Sequence, residues 1–144
     1  MSTALKSHFA DYAAFHRTPG NQVCHYLGIP LIVLTLFALL SQVHVATVGG
    51  FAVTLAEVLF VLASLYYLTL DATLAALMLA ASGALLVAGR FIPWTVALPL
   101  FILGWILQFV GHYVYEKRSP AFYRNLAHLL VGPLWILAKA TGRA

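Results

Sequence analysis

Charge is scarce along most of this chain. Only 8% of its 144 residues are Asp, Glu, Lys or Arg, against about 25% in an average soluble domain. Between residues 18 and 115 the formally charged residues are Glu57, Asp71 and Arg90. Because 62% of the residues are hydrophobic, too few charged side chains remain to cover a water-facing surface. The composition excludes a soluble globular domain and predicts a single integral membrane domain over residues 1–144.

Cysteine is also nearly absent. The only one, Cys24, excludes an internal disulfide and any thiolate-rich metal motif, and we expect it to fill space near a helix start. Residues 1–17 contain Asp11 and lack an apolar core, so no cleavable signal peptide is expected. The net charge of +4 does not indicate nucleic-acid binding, because the basic residues lie at segment ends. The predicted partner is the lipid bilayer.

Long hydrophobic runs are abundant instead. Four segments come close to the ~17–25 residues that a spanning helix needs, and they cover residues 23–40, 50–70, 72–88 and 94–115. Before them, Leu5, Phe9, Tyr12 and His16 fall on one helical stripe. The predicted fold is therefore all-α, a multi-pass membrane helical bundle of about four transmembrane helices with N- and C-terminal interfacial helices.

Several residues are expected to mark the helix boundaries. Thr18-Pro19-Gly20 should end the first interfacial helix, and Asn21 is a candidate N-cap for the first span. Ser119-Pro120 has the form of an N-cap followed by proline at the first helical position. The helix that it opens should lie along the membrane surface, with a kink at residues 132–133.

Orientation follows from the basic residues. An even number of spans places both termini on one side, together with every Lys and Arg except Arg90. Both termini are therefore predicted to be cytoplasmic, in a bacterial inner membrane or the endoplasmic reticulum.

The same even count brings three histidines to one membrane face. His16 and His25 precede or open the first span, and His112 closes the last one. Gln108, His112 and Glu116 are spaced i, i+4, i+8 and form one polar stripe. Buried imidazoles are costly unless they are satisfied. Neutral imidazoles with a carboxylate or water suit Fe(II), Zn(II) or a related ion, and the alternative is interfacial histidines that hydrogen-bond across helices.

Other polar residues have less specific interpretations. Glu57 is expected to be buried in the second span, protonated and structural. Asp71 either caps the third span or holds an imidazole. His128 is expected at the surface, or else as a fourth ligand or a substrate contact, and His8 and His44 are expected to be solvated.

Two strings carry a family resemblance. Residues 16–25 read HRTPGNQVCH and residues 108–121 read QFVGHYVYEKRSPA. They resemble the H-x-x-P-x-N-x-x-x-H and Q-F-x-G-H-x-x-x-E-x-x-x-P-A motifs of the small membrane 2-hydroxy fatty acid dioxygenases, and the similarity covers nearly the whole chain.

The resemblance implies an Fe(II)-dependent enzyme of fatty-acid α-oxidation, which shortens a 2-hydroxy fatty acid by one carbon with O2. By position, the resemblance implies that His16, His25 and His112 are the iron ligands. It implies that Glu116, Asn21 and Gln108 are supporting catalytic groups. The fourth ligand stays open among Glu116, His128 and water.

The reaction balances without a cosubstrate. R-CHOH-COOH and O2 give R-COOH, CO2 and water, which matches the lack of any nucleotide or cosubstrate motif. Three other functions remain open from the residues alone. They are a haem protein with His25 and His112 as axial ligands, a zinc-dependent lipid hydrolase with Glu116 as general base, and a non-enzymatic membrane scaffold or carrier.

Overall fold

Six α-helices and one β-hairpin make up the computed structural model, which describes all of residues 1–144. The elements in chain order are α1 (Thr3–Ala14), α2 (Pro19–Leu40), β1 (His44–Val48), β2 (Phe51–Thr54), α3 (Leu55–Leu70), α4 (Ala72–Gly89), α5 (Trp94–Val110) and α6 (His128–Ala140). A π-helical turn, Gly111–Glu116, continues α5, and a 3-10 turn, Ala121–Tyr123, precedes α6.

Three stretches are long and apolar enough to cross a membrane. They are α2, α4 and α5 with its π-helical turn, with mean hydropathies of 2.2, 2.0 and 1.8. The prediction of a mostly helical, multi-pass membrane protein is thus confirmed in outline. Helix α3 is equally apolar in character but has 16 residues, fewer than the three long spans.

The all-α prediction was wrong for residues 44–54, which form an antiparallel hairpin. Gly49 and Gly50 both adopt positive φ, 56° and 81°, as the two central residues of a tight hairpin turn require. The segment predicted to span from residue 50 therefore becomes helical only at Leu55, after Thr54 caps the helix by accepting from the Ala56 amide. The hairpin residues are largely exposed.

Glu57 is not the buried, protonated group that was expected. It lies half-buried in the first turn of α3 and accepts a hydrogen bond from the Thr54 amide at 2.8 Å. Its other oxygen lies 2.7 Å from the Arg90 guanidinium, which also donates to the Ala52 carbonyl at 2.9 Å. This ion pair joins the hairpin to the end of α4.

Close packing of α2 on α5 positions the site. A Cβ built on Gly104 would lie 2.6 Å from Ile32 Cγ1 and 3.3 Å from the Gly28 carbonyl oxygen. Only glycine allows the two backbones to approach this closely. The start of α2 and the end of α5 consequently meet at one end of the bundle, as the span count predicted.

The terminal helices cover that end of the bundle. The stripe predicted on α1 is confirmed, since Leu5, Phe9 and Tyr12 are buried in one cluster with residues of α6. Within the same cluster, the Tyr67 hydroxyl of α3 donates to the Leu130 carbonyl of α6 at 2.9 Å. Helix α6 is thus packed into the protein along one face.

Two helix boundaries differ from the sequence-based expectation, and a third agrees with one of the roles left open for Asp71. The N-cap of α2 is Thr18 and not Asn21, with Pro19 as the first helical residue. Pro120 is followed by the 3-10 turn, and α6 begins only at His128. Asp71 caps α4 by accepting from the Leu74 amide at 3.0 Å, so it does not hold an imidazole.

Candidate metal centre

Three imidazoles converge at the end of the bundle where α2 begins and α5 ends. His16 lies in the α1–α2 connection, His25 in the second turn of α2, and His112 in the π-helical turn. One ligand atom from each lies within 4.8 Å of the others, and the side chains are 2–3% exposed. The predicted convergence of residues from opposite ends of the sequence is therefore present in the fold.

Backbone carbonyls orient two of these rings. His16 Nδ1 lies 2.6 Å from the Tyr12 carbonyl oxygen, and His25 Nδ1 lies 2.9 Å from the Asn21 carbonyl oxygen. Since a carbonyl only accepts, each Nδ1 carries the proton and each Nε2 keeps a free lone pair. Such outer-shell carbonyls are what fixes the tautomer of metal-bound histidines.

The two free nitrogens face each other. His16 Nε2 and His25 Nε2 are 3.1 Å apart, and in this tautomer neither has a proton to share. Burial, reinforced by the neighbouring His25 ring, lowers the pKa of His16 to about 3. A proton is therefore a poor bridge at neutral pH, whereas a cation bound by both lone pairs would satisfy them.

His112 completes the cluster from the other side. Its ring centroid is 4.8 Å from that of His16 and 4.9 Å from that of His25. Its Nδ1 is buried and bonds to no protein atom, which costs about 1–3 kcal/mol unless a ligand is bound. Two facing lone pairs and an unsatisfied third imidazole are a donor set that fits a transition-metal ion.

The Glu116 carboxylate supports the site through hydrogen bonds to the α1–α2 connection and is not one of the clustered ligand groups. Its carboxylate accepts from the Arg17 amide at 3.0 Å and from the Thr18 amide and hydroxyl at 3.0 and 2.8 Å. Asn21 Nδ2 donates to the same carboxylate at 3.1 Å and to the Phe15 carbonyl at 3.0 Å. Glu116 and Asn21 together tie the π-helical turn to the α1–α2 connection, starting at Arg17, and to the first turn of α2.

Gln108 lies one turn before His112 and is buried. Its Nε2 donates to the Cys24 carbonyl at 3.4 Å, a long and weak bond. Gln108 thus stands beside the histidines without a strong partner of its own.

A cavity of about 540 Å³ extends from the three histidines into the bundle. Its lining follows α2 from His25 to Phe37, a rise of roughly 18 Å at 1.5 Å per residue. Phe37 and Phe60, with ring centroids 6.4 Å apart, contribute to the lining farthest from His25 along α2. No Lys, Arg, Asp or Glu lines this cavity.

The surface position expected for His128 is also wrong. The side chain is 4% exposed and lines the same cavity. Its Nε2 lies 2.7 Å from Asp11 Oδ2, and its Nδ1 is buried without a partner. No spacing in the sequence pairs residue 11 with residue 128, because the contact depends on how α6 packs on α1.

The fold and this site define a class, a helical membrane protein with a three-histidine candidate metal centre beside an apolar cavity. Residues 2–144 match the family described as 2-hydroxy-palmitic acid dioxygenase Mpo1-like, and the chain belongs to that family. It is similar to the 2-hydroxy-palmitic acid dioxygenase MPO1 of Saccharomyces cerevisiae, with 34% identity over 138 residues that cover 92% of this chain and 77% of the yeast protein. No solved structure matches the chain.

Proposed function

We propose that this protein is an iron-dependent dioxygenase that converts a long-chain 2-hydroxy fatty acid to the fatty acid one carbon shorter, with release of CO2 and water. Family membership supports the reaction class. The observation that carries the proposal for this chain is the buried cluster of His16, His25 and His112 at the head of an apolar cavity.

The proposed ligands of the Fe(II) ion are the three clustered histidines. When bound, the iron would supply a Lewis acid for the hydroxyl and carboxylate of the substrate and a site at which O2 is activated. The Tyr12 and Asn21 carbonyls would keep the Nε2 atoms of His16 and His25 unprotonated. Because Glu116 is engaged by backbone amides, we assign it and Asn21 to positioning. Gln108 is the polar side chain left to contact substrate near His112.

The acyl chain is proposed to occupy the cavity. The lining is mostly aliphatic and aromatic, and it holds no charge that a hydrocarbon tail would have to desolvate. The polar head group would lie at the histidines, and the acyl tail would lie along the apolar lining toward Phe37. The substrate would then enter from the membrane with its carboxylate near one interface.

The membrane arrangement proposed here has four crossings. Helix α3 rises about 24 Å at 1.5 Å per residue, somewhat less than the ~30 Å hydrocarbon core, and its cap and hairpin extend it at one end. All Lys and Arg residues except Arg90 then lie at the end that holds the histidines and both termini. The positive-inside rule makes this end cytoplasmic.

The test combines metal analysis with turnover. Protein purified without oxygen should contain about one iron per chain and should convert 2-hydroxypalmitate with O2 to the one-carbon-shorter acid, followed by mass spectrometry. His16→Ala, His25→Ala and His112→Ala should each lose the metal and the turnover, since two imidazoles hold a divalent ion far less tightly than three.

His44→Ala is the matched control, because His44 is exposed on the hairpin. A Soret absorption band would replace this proposal with a haem protein. Activity restored by zinc on an ester or amide lipid would indicate a hydrolase, and unchanged metal content in all three variants would indicate a scaffold.

A further inference from the structure

Some of the polar groups that line the cavity are engaged within the protein. Besides the three clustered histidines, the Tyr67 hydroxyl donates to the Leu130 carbonyl, and the Ser82 hydroxyl donates to the Met78 carbonyl at 2.6 Å. The other polar groups of the lining are the Tyr12 hydroxyl, the Trp105 indole N–H, the Gln108 amide and His128. His128 is the one whose free atom is shielded from water.

Asp11 fixes the tautomer of the neutral His128 ring. The carboxylate lies 2.7 Å from His128 Nε2, and a carboxylate accepts hydrogen bonds. The proton of the neutral imidazole therefore resides on Nε2, which leaves a lone pair on Nδ1. That Nδ1 is buried and bonds to no protein atom, although the ring lines the cavity.

His128 lines the cavity and packs against Tyr12, which also lines it. Its ring centroid is 5.7 Å from that of Tyr12, and the Tyr12 ring stacks on His16 at 3.9 Å. Asp11 itself is not part of the lining. His128 is thus connected to His16 through the Tyr12 ring, and its Nε2 is held by the Asp11 carboxylate.

We propose that His128, oriented by Asp11, binds the 2-hydroxyl group of the substrate by accepting its hydrogen bond at Nδ1. The inference rests on the proposed function, since it concerns the head group of the same acid. A lone pair needs a donor, and at neutral pH the 2-hydroxyl is the donor that a 2-hydroxy fatty acid carries while its carboxylate has none. His128 therefore discriminates hydroxy acids from unsubstituted fatty acids, because an acid without the hydroxyl leaves Nδ1 buried and unpaired.

The test measures binding and not turnover. The full-length protein, with and without iron and in the absence of oxygen, is titrated with 2-hydroxypalmitate and with palmitate by displacement of a fluorescent fatty acid. His128→Phe should weaken 2-hydroxypalmitate binding roughly 3- to 10-fold, the worth of one hydrogen bond, and should change palmitate binding less than about 2-fold.

Two further variants separate recognition from packing. His128→Gln should keep most of the preference, because the amide oxygen can accept from the hydroxyl. Asp11→Leu should give an intermediate loss, because the Nε2–H then lacks its partner and the tautomer is no longer fixed. His44→Phe on the exposed hairpin is the matched control and should change neither affinity.

If His128→Phe weakened the binding of 2-hydroxypalmitate and of palmitate equally, the inference would be overturned and His128 would have a packing role. Unchanged preference in that variant would overturn it as well. The preference for the hydroxyl is measured by binding, and it is measured on iron-free protein as well. Absence of 2-hydroxypalmitate turnover would therefore contradict the proposed reaction and leave this binding result standing. Thermal unfolding of each variant shows whether it is folded.

Discussion

Gly111 is the residue at which a single methyl group should disable the metal centre without unfolding the protein. It precedes His112 and packs against the first turns of α2. A Cβ at this position would clash with Asn21 Oδ1 and would lie 3.1 Å from Cys24 Cβ and 3.3 Å from His25 Nδ1. Ordinary carbon contacts are about 3.5–4.0 Å, so Gly111→Ala must shift the start of α2 from the π-helical turn by roughly 0.4–0.9 Å.

The size of this shift decides the outcome. Metal–ligand distances tolerate about ±0.2 Å, so the displacement exceeds what His25 and His112 can absorb while they bind one ion. Overpacking costs about 1–3 kcal/mol, partly offset by about 0.5–1 kcal/mol from replacing glycine by alanine in a helix. The variant should therefore stay folded, while its affinity for iron falls at least about 10-fold, as for lost outer-shell support.

The assay is iron content and iron affinity of protein purified without oxygen, together with its thermal unfolding. Gly83→Ala on α4 is the control, because a Cβ there would meet only Phe60 atoms at 3.7 and 3.8 Å, an ordinary contact. Wild-type iron affinity in Gly111→Ala would refute the claim that the approach of these two helices sets the ligand geometry.

Three further substitutions test how the fold supports the site. Glu116→Gln should lower the affinity for iron about 10-fold, measured by competition with a chelator, because a neutral amide replaces a carboxylate that accepts from several donors. Tyr67→Phe should reduce the free energy of unfolding by about 1–3 kcal/mol, since it leaves the Leu130 carbonyl unpaired, and Tyr66→Phe is its control in the same denaturation assay. Arg90→Met breaks a partly exposed ion pair with Glu57, so it should cost less than about 1 kcal/mol and leave iron content unchanged.

The meeting of the histidines could be predicted because it depends on topology and not on packing detail. The predicted even number of crossings returns the chain to its starting face, so the prediction placed His25 and His112 at one end whatever the crossing angles. The burial of Leu5, Phe9 and Tyr12 could also be predicted, because helical periodicity shows which face of α1 is buried.

The hairpin was not predicted because hydropathy and strand propensity favour different structures for residues 44–54. The run from Val45 to Thr54 is apolar enough to extend the second span, yet it is rich in β-branched residues around Gly49 and Gly50. Two adjacent glycines that both need positive φ are a turn signal, and here they outweigh the hydropathy of the flanking residues.

The contacts of Glu116 and His128 could not be found from spacing at all. The helical period places Glu116 on the same face as Gln108 and His112, but the π-helical turn adds a residue and rotates that position toward the α1–α2 connection. Likewise, Asp11 reaches His128 only because α6 packs on α1. Tertiary contacts between separate elements carry no local signal, so sequence periodicity misplaces the side chains that depend on them.

A substrate that enters the cavity from the bilayer can be selected only weakly through its hydrocarbon tail. A tail that leaves the bilayer for the cavity exchanges one hydrocarbon environment for another, so it gains little of the ~0.8 kcal/mol per methylene that transfer from water provides. The apolar lining near Phe37 and Phe60 therefore limits which chain lengths fit and attracts none of them strongly. Discrimination among lipids must come from the head group, where the histidines line a cavity without charged side chains. Head-group selectivity and metal binding thus both depend on hydrogen bonds that fix imidazole tautomers: that of His128 to Asp11 for selectivity, and those of His16 and His25 to backbone carbonyls for the metal.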